Sequence, residues 1–398
     1  MLTPAALYRS PNALAPHYSR FRVTERNRLT GHSHQAWPDV GFEAQQRAWL
    51  DAAELADDKW ERAFAKAERV REGFAKLLDD SEGFIALGAN THELVIRFLS
   101  ALPLRSRSTL VTTDGEFHTI RRQLDRLAEE GVEVVKVGAL PTATLAERLA
   151  SRVTSRTAAV LVSSVMYQSA YIVPGLARLA EVCQREGVEL LVDAYHALNV
   201  VPFSLRAQGL ERAFVVGGGY KYCQLGEGNC FLRFPADCAM RPVITGWFSE
   251  FTALAEARGA ERVGYGRGPD RFAGATYDPA SHYRAATVFA FFVEQGLTAT
   301  LLREVSQHQV GLLARLFDQL DLDPGLINRE RSIRLEHLGG FLALHSPRAQ
   351  VFGRALRERG VFTDQRGEFL RLGPAPYLSD EQLEAAVEEL GRVAAACV

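Results

Sequence analysis

The chain has 398 residues, of which 47% are hydrophobic and 24% are charged, and its formal net charge at pH 7 is -2. This length allows a large buried core and favours two domains over one. The nearly balanced charge argues against a nucleic-acid partner or an anionic membrane surface. The chain has no apolar run of membrane-spanning length and its start does not resemble a signal peptide, so we expect a cytoplasmic protein.

The cysteines support a reducing compartment. There are five of them, they are scattered along the chain, and none forms a Cys-x-x-Cys pair. An odd, scattered set argues against a disulfide framework.

Prolines and little periodicity predict an irregular N-terminal arm over residues 1–45. His32 and His34 lie in this arm, separated by one residue, and two such histidines could bind a metal. We predict no metal site, because no cysteine or carboxylate partner follows nearby.

The rest of the chain is expected to form two domains. We expect a large domain over residues 46–285, and a linking helix with a smaller domain over residues 286–398.

From residue 43 onwards the predicted elements follow one another in a regular pattern. Helices are predicted over 43–78, and alternation of strands and helices follows, with strands at 83–87, 109–112, 132–137, 158–163, 188–192, 213–216 and 230–234. This alternation predicts an α/β fold with a mainly parallel sheet that helices cover on both faces. A linking helix over 283–302 and short strands at 341–344 and 369–372 are predicted for the C-terminal part.

The central feature of the sequence is a pair of polar groups at the ends of two buried strands. Asp193 follows one apolar run, and Lys221 follows the next, after Gly217-Gly218-Gly219. Open α/β sheets bind ligands at the carboxyl ends of their strands. A carboxylate and an amine placed there suggest pyridoxal phosphate (PLP), because the amine can form a Schiff base and the carboxylate can hold the pyridinium proton. Taken alone, such a lysine is usually a solvated loop residue.

Other residues suit the same cofactor. Asn90 and Thr91 have helix N-cap chemistry at the start of a helix, whose free amides would suit a phosphate or simply be capped. Phe117 begins the next helix and could stack on a ring or belong to the core. Arg371 could bind a carboxylate in bidentate fashion or pair with a neighbouring acidic side chain.

Three motifs together resemble a known family. Asp193-x-x-His196, Tyr220-Lys221-Tyr222 and Gly246-Trp247-Phe248 are similar to those of kynureninase, a PLP enzyme of fold type I in the class V aminotransferase superfamily. The likeness runs from about Leu87 to Tyr377. It implies a large PLP-binding domain with a seven-stranded type of sheet, a smaller C-terminal α+β domain, and a homodimer with its sites at the interface.

The resemblance also implies roles for individual residues. Lys221 would form the Schiff base and move the α-proton, Asp193 would hold the pyridinium nitrogen, and Tyr220 would bind phosphate and could donate a proton. The other residues that it places at the cofactor or substrate are Asn90, Thr91, His92 and Thr276 (with Tyr277 as the alternative) near the phosphate, Phe117 and His196 at the ring, Trp247 lining the pocket, Arg371 on the α-carboxylate and Asp278 facing the substrate.

The sequence departs from the family at several points near the pocket. His118 stands where kynureninases have a proline, and Ile120 where they have an aspartate. In the N-terminal arm, only Gly31 and Ser33 match the family's Gly-Asn-Ser loop. A substrate other than kynurenine is therefore compatible with the resemblance.

The resemblance predicts a hydrolase that cleaves the Cβ–Cγ bond of L-kynurenine or a related 2-amino-4-oxo acid, giving L-alanine and a carboxylic acid. The alternative is a class V aminotransferase or another PLP-dependent lyase. A cysteine desulfurase is disfavoured, because no cysteine lies between Cys238 and Cys397, where a mobile nucleophile loop would fall. A non-catalytic PLP-fold binding protein is disfavoured because Lys221 and Asp193 are both present.

Overall fold

The computed structural model describes residues 2–253 and 262–396. Its N-terminal part has more regular structure than the sequence predicts. It contains helix α1 (Pro4–Tyr8), a 3-10 helix (Ala15–Phe21) and strand β1 (Asn27–Arg28). β1 pairs in parallel with residues 361–362 near the other end of the chain. Contacts with distant parts of the chain order the arm, and for this reason its local sequence pattern did not predict the structure.

Two long helices follow and confirm the helical prediction for residues 43–78. They are α2 (Val40–Leu55) and α3 (Lys59–Leu78). α3 buries residues that recur every three or four positions, namely Ala63, Ala67, Val70, Phe74 and Leu78. This spacing places one apolar stripe towards the core.

A seven-stranded sheet forms the centre of the molecule. Its strands are β2 (Phe84–Gly88), β3 (Thr109–Thr113), β4 (Glu133–Val137), β5 (Thr157–Ser163), β6 (Glu189–Asp193), β7 (Phe214–Gly218) and β8 (Cys230–Phe234). The strand order is β2-β8-β7-β6-β5-β3-β4; β8 pairs antiparallel with both β2 and β7, and all other neighbouring strands pair in parallel. Every residue of β3, β5, β7 and β8 is buried. The prediction of a mainly parallel, doubly covered sheet is confirmed.

Helices connect the strands and cover the sheet. They are α4 (Thr91–Ala101), α5 (His118–Glu129), α6 (Leu145–Ala150) and α7 (Leu176–Glu186). Two 3-10 helices, Trp247–Ala253 and Gly268–Phe272, follow β8.

The predicted single helix over 283–302 is wrong. The chain instead forms α8 (Ala280–Gln295) and α9 (Ala299–Gln319), bent by 81° relative to each other. Gly296 ends α8 with a φ of 71°, a left-handed conformation that glycine adopts without strain. Among the described residues no single helix is long and apolar enough to cross a membrane, although α8 and α9 taken as a bent pair meet that test of length and composition.

The C-terminal part contains β9 (Leu342–His345), α10 (Ala349–Glu358), β10 (Val361–Phe362), β11 (Asp364–Arg366), β12 (Phe369–Leu372) and α11 (Asp380–Ala396). β11, β12 and β9 form an antiparallel sheet in that order, with Asp364 directly opposite Arg371. The predicted division after residue 285 falls inside α8, and the domain bounds stay a prediction.

Candidate active site

The carboxyl ends of β6 and β7 bring the two predicted catalytic groups to one place. β6 ends at Asp193, and Lys221 follows β7 by three residues. Between them the backbone comes so close that a side chain would not fit: a Cβ on Gly218 would lie 2.5 Å from the Tyr195 hydroxyl and the Cys230 sulfur. The glycines therefore allow the lysine turn to sit against its neighbours.

Lys221 is buried, with 6% of its surface exposed, and its Nζ lies 2.8 Å from Nε2 of His196. Nζ also lies 4.5 Å from the ring centre of Tyr195 and 5.5 Å from that of Phe117. Burial lowers the pKa of Lys221 to about 7, although the charge of Asp193 opposes the change. A substantial share of this amine is therefore neutral, and hence nucleophilic, at neutral pH.

Burial shifts the pKa values of the two titratable groups beside the lysine, Asp193 and His196, in opposite directions. Asp193 accepts a hydrogen bond from the backbone N–H of Tyr195 at 2.8 Å. Burial raises the pKa of Asp193, while that hydrogen bond and Lys221 work against the rise. Burial and the nearby charge of Lys221 hold the pKa of His196 well below its usual value, so the imidazole is neutral. A neutral His196 can accept a hydrogen bond from Lys221.

Phe117 and Tyr220 place aromatic rings beside the lysine. Phe117 is the residue immediately before α5, and its ring meets that of Tyr167 edge-on at 5.3 Å. Tyr220 stacks on His34 of the N-terminal arm with ring centres 4.8 Å apart. Burial raises the pKa of Tyr220 to about 12, so its hydroxyl stays protonated and able to donate. The arm thus reaches the site by a contact that the sequence did not reveal.

The start of α4 has the predicted cap. The Asn90 side chain accepts from the backbone N–H of Glu93 at 2.9 Å and donates to the Glu93 carboxylate at 2.9 Å. Thr91 is half-buried and His92 is exposed at the same helix end. The capped helix is confirmed, and the phosphate contacts of these residues stay predictions.

The residues predicted from the loops after β8 lie around a separate cavity. Thr276, Tyr277 and Asp278 line a cavity of about 560 Å³, together with residues from the start of α4. Asp278 lies two residues before α8 and accepts a hydrogen bond from the N–H of its first residue, Ala280, at 2.9 Å. Trp247 does not line this cavity; it is 46% exposed and packs on its neighbour Phe248, which does line it.

Arg371 is buried, with 3% exposure, and already has protein partners. Its Nη1 donates to the Tyr167 carbonyl at 2.5 Å, and its Nη2 pairs with the Asp364 carboxylate. The alternative of pairing with a neighbouring acid is therefore realised in the structure. Within the described ranges, its buried Nε has no hydrogen-bond partner.

Sequence reasoning missed four residues of this region: Tyr195, Glu116, His32 and Asp364. Glu116 directly precedes Phe117, is buried, and accepts from the Ser163 N–H at 3.1 Å and from the Thr113 hydroxyl at 2.8 Å. Its partner Ser163 lies opposite Asp193 in the sheet. Tyr195 and Glu116 each neighbour a predicted residue, which is a usable signal. His32 drew attention only as a possible metal ligand with His34, and no local pattern marks Asp364.

The groups gathered at this site fit PLP. A nucleophilic amine, a carboxylate, an aromatic ring and a capped helix start all lie at the carboxyl edge of the large sheet. The close approach at Gly218 leaves no room for a side chain just before the lysine turn.

Comparisons with known proteins agree on the fold. No family model matches the chain. A curated relative, an uncharacterized aminotransferase named YcbU of Bacillus subtilis (strain 168), is 24% identical over 348 residues, covering 86% of this chain and 88% of that protein.

Two solved structures are similar over nearly the whole chain. An apo cysteine desulfurase from Thermococcus onnurineus NA1 superposes with a TM-score of 0.81 at 16% identity, covering 98% of this chain and 99% of that one. A mutant of the cystine C-S lyase C-DES, with glycine covalently linked to its PLP cofactor, gives a TM-score of 0.80 at 16% identity, covering 94% and 98%. The chain therefore has the PLP-dependent fold type I.

Proposed function

We propose that this protein binds PLP and acts as a class V type aminotransferase on the α-amino group of an amino acid. The observation that carries the proposal is the buried Lys221 amine, 2.8 Å from His196 and beside Asp193, with its pKa lowered by burial to about 7. The similarity to a relative named as an aminotransferase supports it.

Each side chain has a defined task in this proposal. PLP, when bound, would supply an electron sink for charge on the α-carbon. Asp193 would keep the pyridine nitrogen protonated, and Phe117 would support the ring face. Lys221 would move the α-proton, and the neutral His196 would accept a hydrogen bond from its amine.

A second candidate is the kynureninase-like hydrolase, and Tyr220 is the observation that favours it. Its hydroxyl stays protonated because burial raises its pKa to about 12. Cleavage of a Cβ–Cγ bond requires a proton to be delivered to the alanine that leaves, and Tyr220 stands beside Lys221 with its ring centre 5.8 Å from Nζ.

The cysteines argue against cysteine desulfuration, which the names of the similar structures would suggest. Cys183, Cys223 and Cys230 are buried, and Cys238 is half-buried. Burial raises the pKa of both Cys183 and Cys230 to about 12. Among the cysteines that the structure describes, none is an exposed thiol with a lowered pKa, which such a nucleophile needs.

Product analysis separates the two candidates. Purified protein loaded with PLP is mixed with L-kynurenine, with and without a keto acid acceptor. An aminotransferase yields the corresponding keto acid and depends on the acceptor, whereas a hydrolase yields alanine and anthranilate without it. If neither kynurenine nor a panel of proteinogenic amino acids reacts, the proposed function is wrong.

We further propose that the protein is a homodimer. Val243, Ile244 and Trp247 are exposed by 81%, 54% and 46%, and they lie close together in the chain after β8. Neighbouring exposed apolar side chains of this size are typical of subunit contacts. Light scattering during gel filtration should give twice the chain mass of 44.0 kDa; a monomer mass would contradict the proposal.

A further inference from the structure

His32 is a fully buried histidine that the N-terminal arm inserts beside the C-terminal sheet. Two hydrogen bonds fix the arm just before it: the Gly31 N–H donates to the Gly373 carbonyl, and the Gly373 N–H donates to the Leu29 carbonyl, each at 2.8 Å. A Cβ on Gly373 would lie 2.1 Å from Nδ1 of His32. The imidazole is therefore packed directly against the backbone that follows β12.

The other side of the His32 ring faces a carboxylate. Nε2 lies 3.5 Å from Oδ2 of Asp364, and the ring centre lies 4.5 Å from that of Phe341. Burial lowers the pKa of His32 to about 3, so the ring is neutral. Neither ring nitrogen has a hydrogen-bond partner among the described residues, so the contact with Asp364 is a long polar one, made by the tautomer with its proton on Nε2.

Asp364 in turn holds Arg371. The two residues are directly opposite in the β11–β12 ladder, and the carboxylate oxygen that faces His32 is the one that pairs with Arg371 Nη2. Arg366 contacts the other oxygen of Asp364 at 2.8 Å. Burial favours the protonated acid, but His32 and Arg371 outweigh it and hold the pKa of Asp364 well below its usual value.

This arrangement orients Arg371 but does not use all its donors. The guanidinium packs over Phe341 at 5.5 Å, the same ring that His32 contacts. Its Nε is buried without a hydrogen-bond partner in the described part of the chain. An unpaired buried N–H is costly, and a planar guanidinium with a donor to spare matches a carboxylate ligand.

We propose that His32 is a positioning residue for the substrate-carboxylate site: it holds Asp364, and Asp364 sets the orientation in which Arg371 receives the carboxylate. This inference rests on the proposed function, a reaction of an amino acid, and on the role that the resemblance implies for Arg371 at the α-carboxylate of that amino acid. It also makes the N-terminal arm part of the binding site.

The test uses two unreactive ligands that differ by one carboxylate, 4-(2-aminophenyl)-4-oxobutanoate and 1-(2-aminophenyl)propan-1-one. Calorimetry measures the Kd of each on PLP-loaded protein. In the wild type the acid should bind more tightly than the ketone. His32→Ala should weaken binding of the acid about 10-fold, the lower end of what a polar contact with a charged group contributes, and leave binding of the ketone unchanged.

Conservative and matched variants separate positioning from folding. His32→Gln keeps a donor near the Nε2 position and should restore most of the acid affinity. His345→Ala is the control, because His345 contacts Glu368 at 3.0 Å but has 41% of its side chain exposed and lies outside the site. Asp364→Asn should weaken binding of the acid as His32→Ala does. The double variant should bind the acid little worse than either single variant, since His32 and Asp364 act through the same series of contacts to Arg371.

The inference is overturned if His32→Ala keeps the wild-type preference for the acid, if His32→Gln loses that preference as fully as His32→Ala does, if the double variant shows additive losses, or if the wild type shows no preference for the acid. Loss of the proposed function gives a different result. A wild type that prefers the acid but converts no amino acid would refute the proposed reaction and leave the role of His32 standing.

Discussion

The Lys221 site and the Arg371 site are both buried, yet the first favours the neutral forms of its titratable groups and the second keeps Asp364 ionised. Around Lys221, burial lowers the pKa values of the amine and of His196 towards their neutral forms. Around Arg371, the partners of Asp364 outweigh burial and keep it ionised. Desolvation dominates where opposite charges are few, and pairing dominates where they are in contact.

This difference matches the tasks proposed for the two sites. A nucleophile or base has to be free of its proton at working pH, and burial provides this for Lys221. A group that binds a carboxylate must keep its charge, and the pairing of Arg371 with Asp364 allows a guanidinium to be buried without losing it. Removing one residue from each site should therefore have different consequences.

Lys221→Ala should have the largest effect. Without the amine, borohydride can no longer attach the cofactor covalently, and turnover should fall by at least about 10³-fold, since both the nucleophile and the proton-moving group are lost. Mass spectrometry of the borohydride-treated wild type should locate the label on Lys221. Lys136→Ala, at an exposed ion pair, is the control and should still be labelled at Lys221; a label on any other lysine contradicts the assignment.

Asp193→Ala should reduce turnover by about 10²–10³-fold or more while the fold persists, because a preorganised charge at the reacting group is lost. Steady-state rates and circular dichroism measure the two properties. Glu116→Gln is the matched variant, since Glu116 is a second buried carboxyl near Asp193 whose pKa burial raises to about 7. We expect a smaller loss from it; a larger loss would mean that Glu116 is the essential carboxylate.

Arg371→Ala should affect binding more than chemistry. The loss of a charge-assisted contact to the substrate should cost roughly 2–4 kcal/mol in kcat/KM, mainly through KM, with the cofactor still bound. Kinetics with the best amino acid substrate provide the measurement. Arg392→Ala, an exposed pair on α11, should behave as the wild type. An unchanged KM in Arg371→Ala would remove Arg371 from the substrate site.

The smallest predicted effect is a pH dependence. The folded pKa of Lys221 is about 7, so the neutral fraction of the amine rises as the pH rises through 7 and then levels off. Stopped-flow absorbance should show that apo-protein takes up PLP about 10-fold faster at pH 8 than at pH 6, with little further gain by pH 9. A rate that keeps rising tenfold per unit to pH 10 would indicate an ordinary lysine pKa.

Features that depend on nearby residues could be predicted from the sequence. The apolar runs before Asp193 and Lys221 indicated two buried strands, and the edge of a parallel sheet brings such strand ends together. Asn90 was recognised as a helix cap because capping is local chemistry. The break at Gly296 was not recognised, since the apolar pattern continues across it and only packing decides whether a helix bends there.

Only the tertiary structure decided the rest. His32 and Asp364 meet because β1 pairs with β10, a contact between opposite ends of the chain that no local pattern encodes. Likewise the pKa of Lys221 depends on how much water the surrounding rings exclude, which is a property of packing. The sequence by itself determined which groups follow the strands of the large sheet; the fold determined which of them are neutral, which are paired, and that the N-terminal arm reaches Arg371.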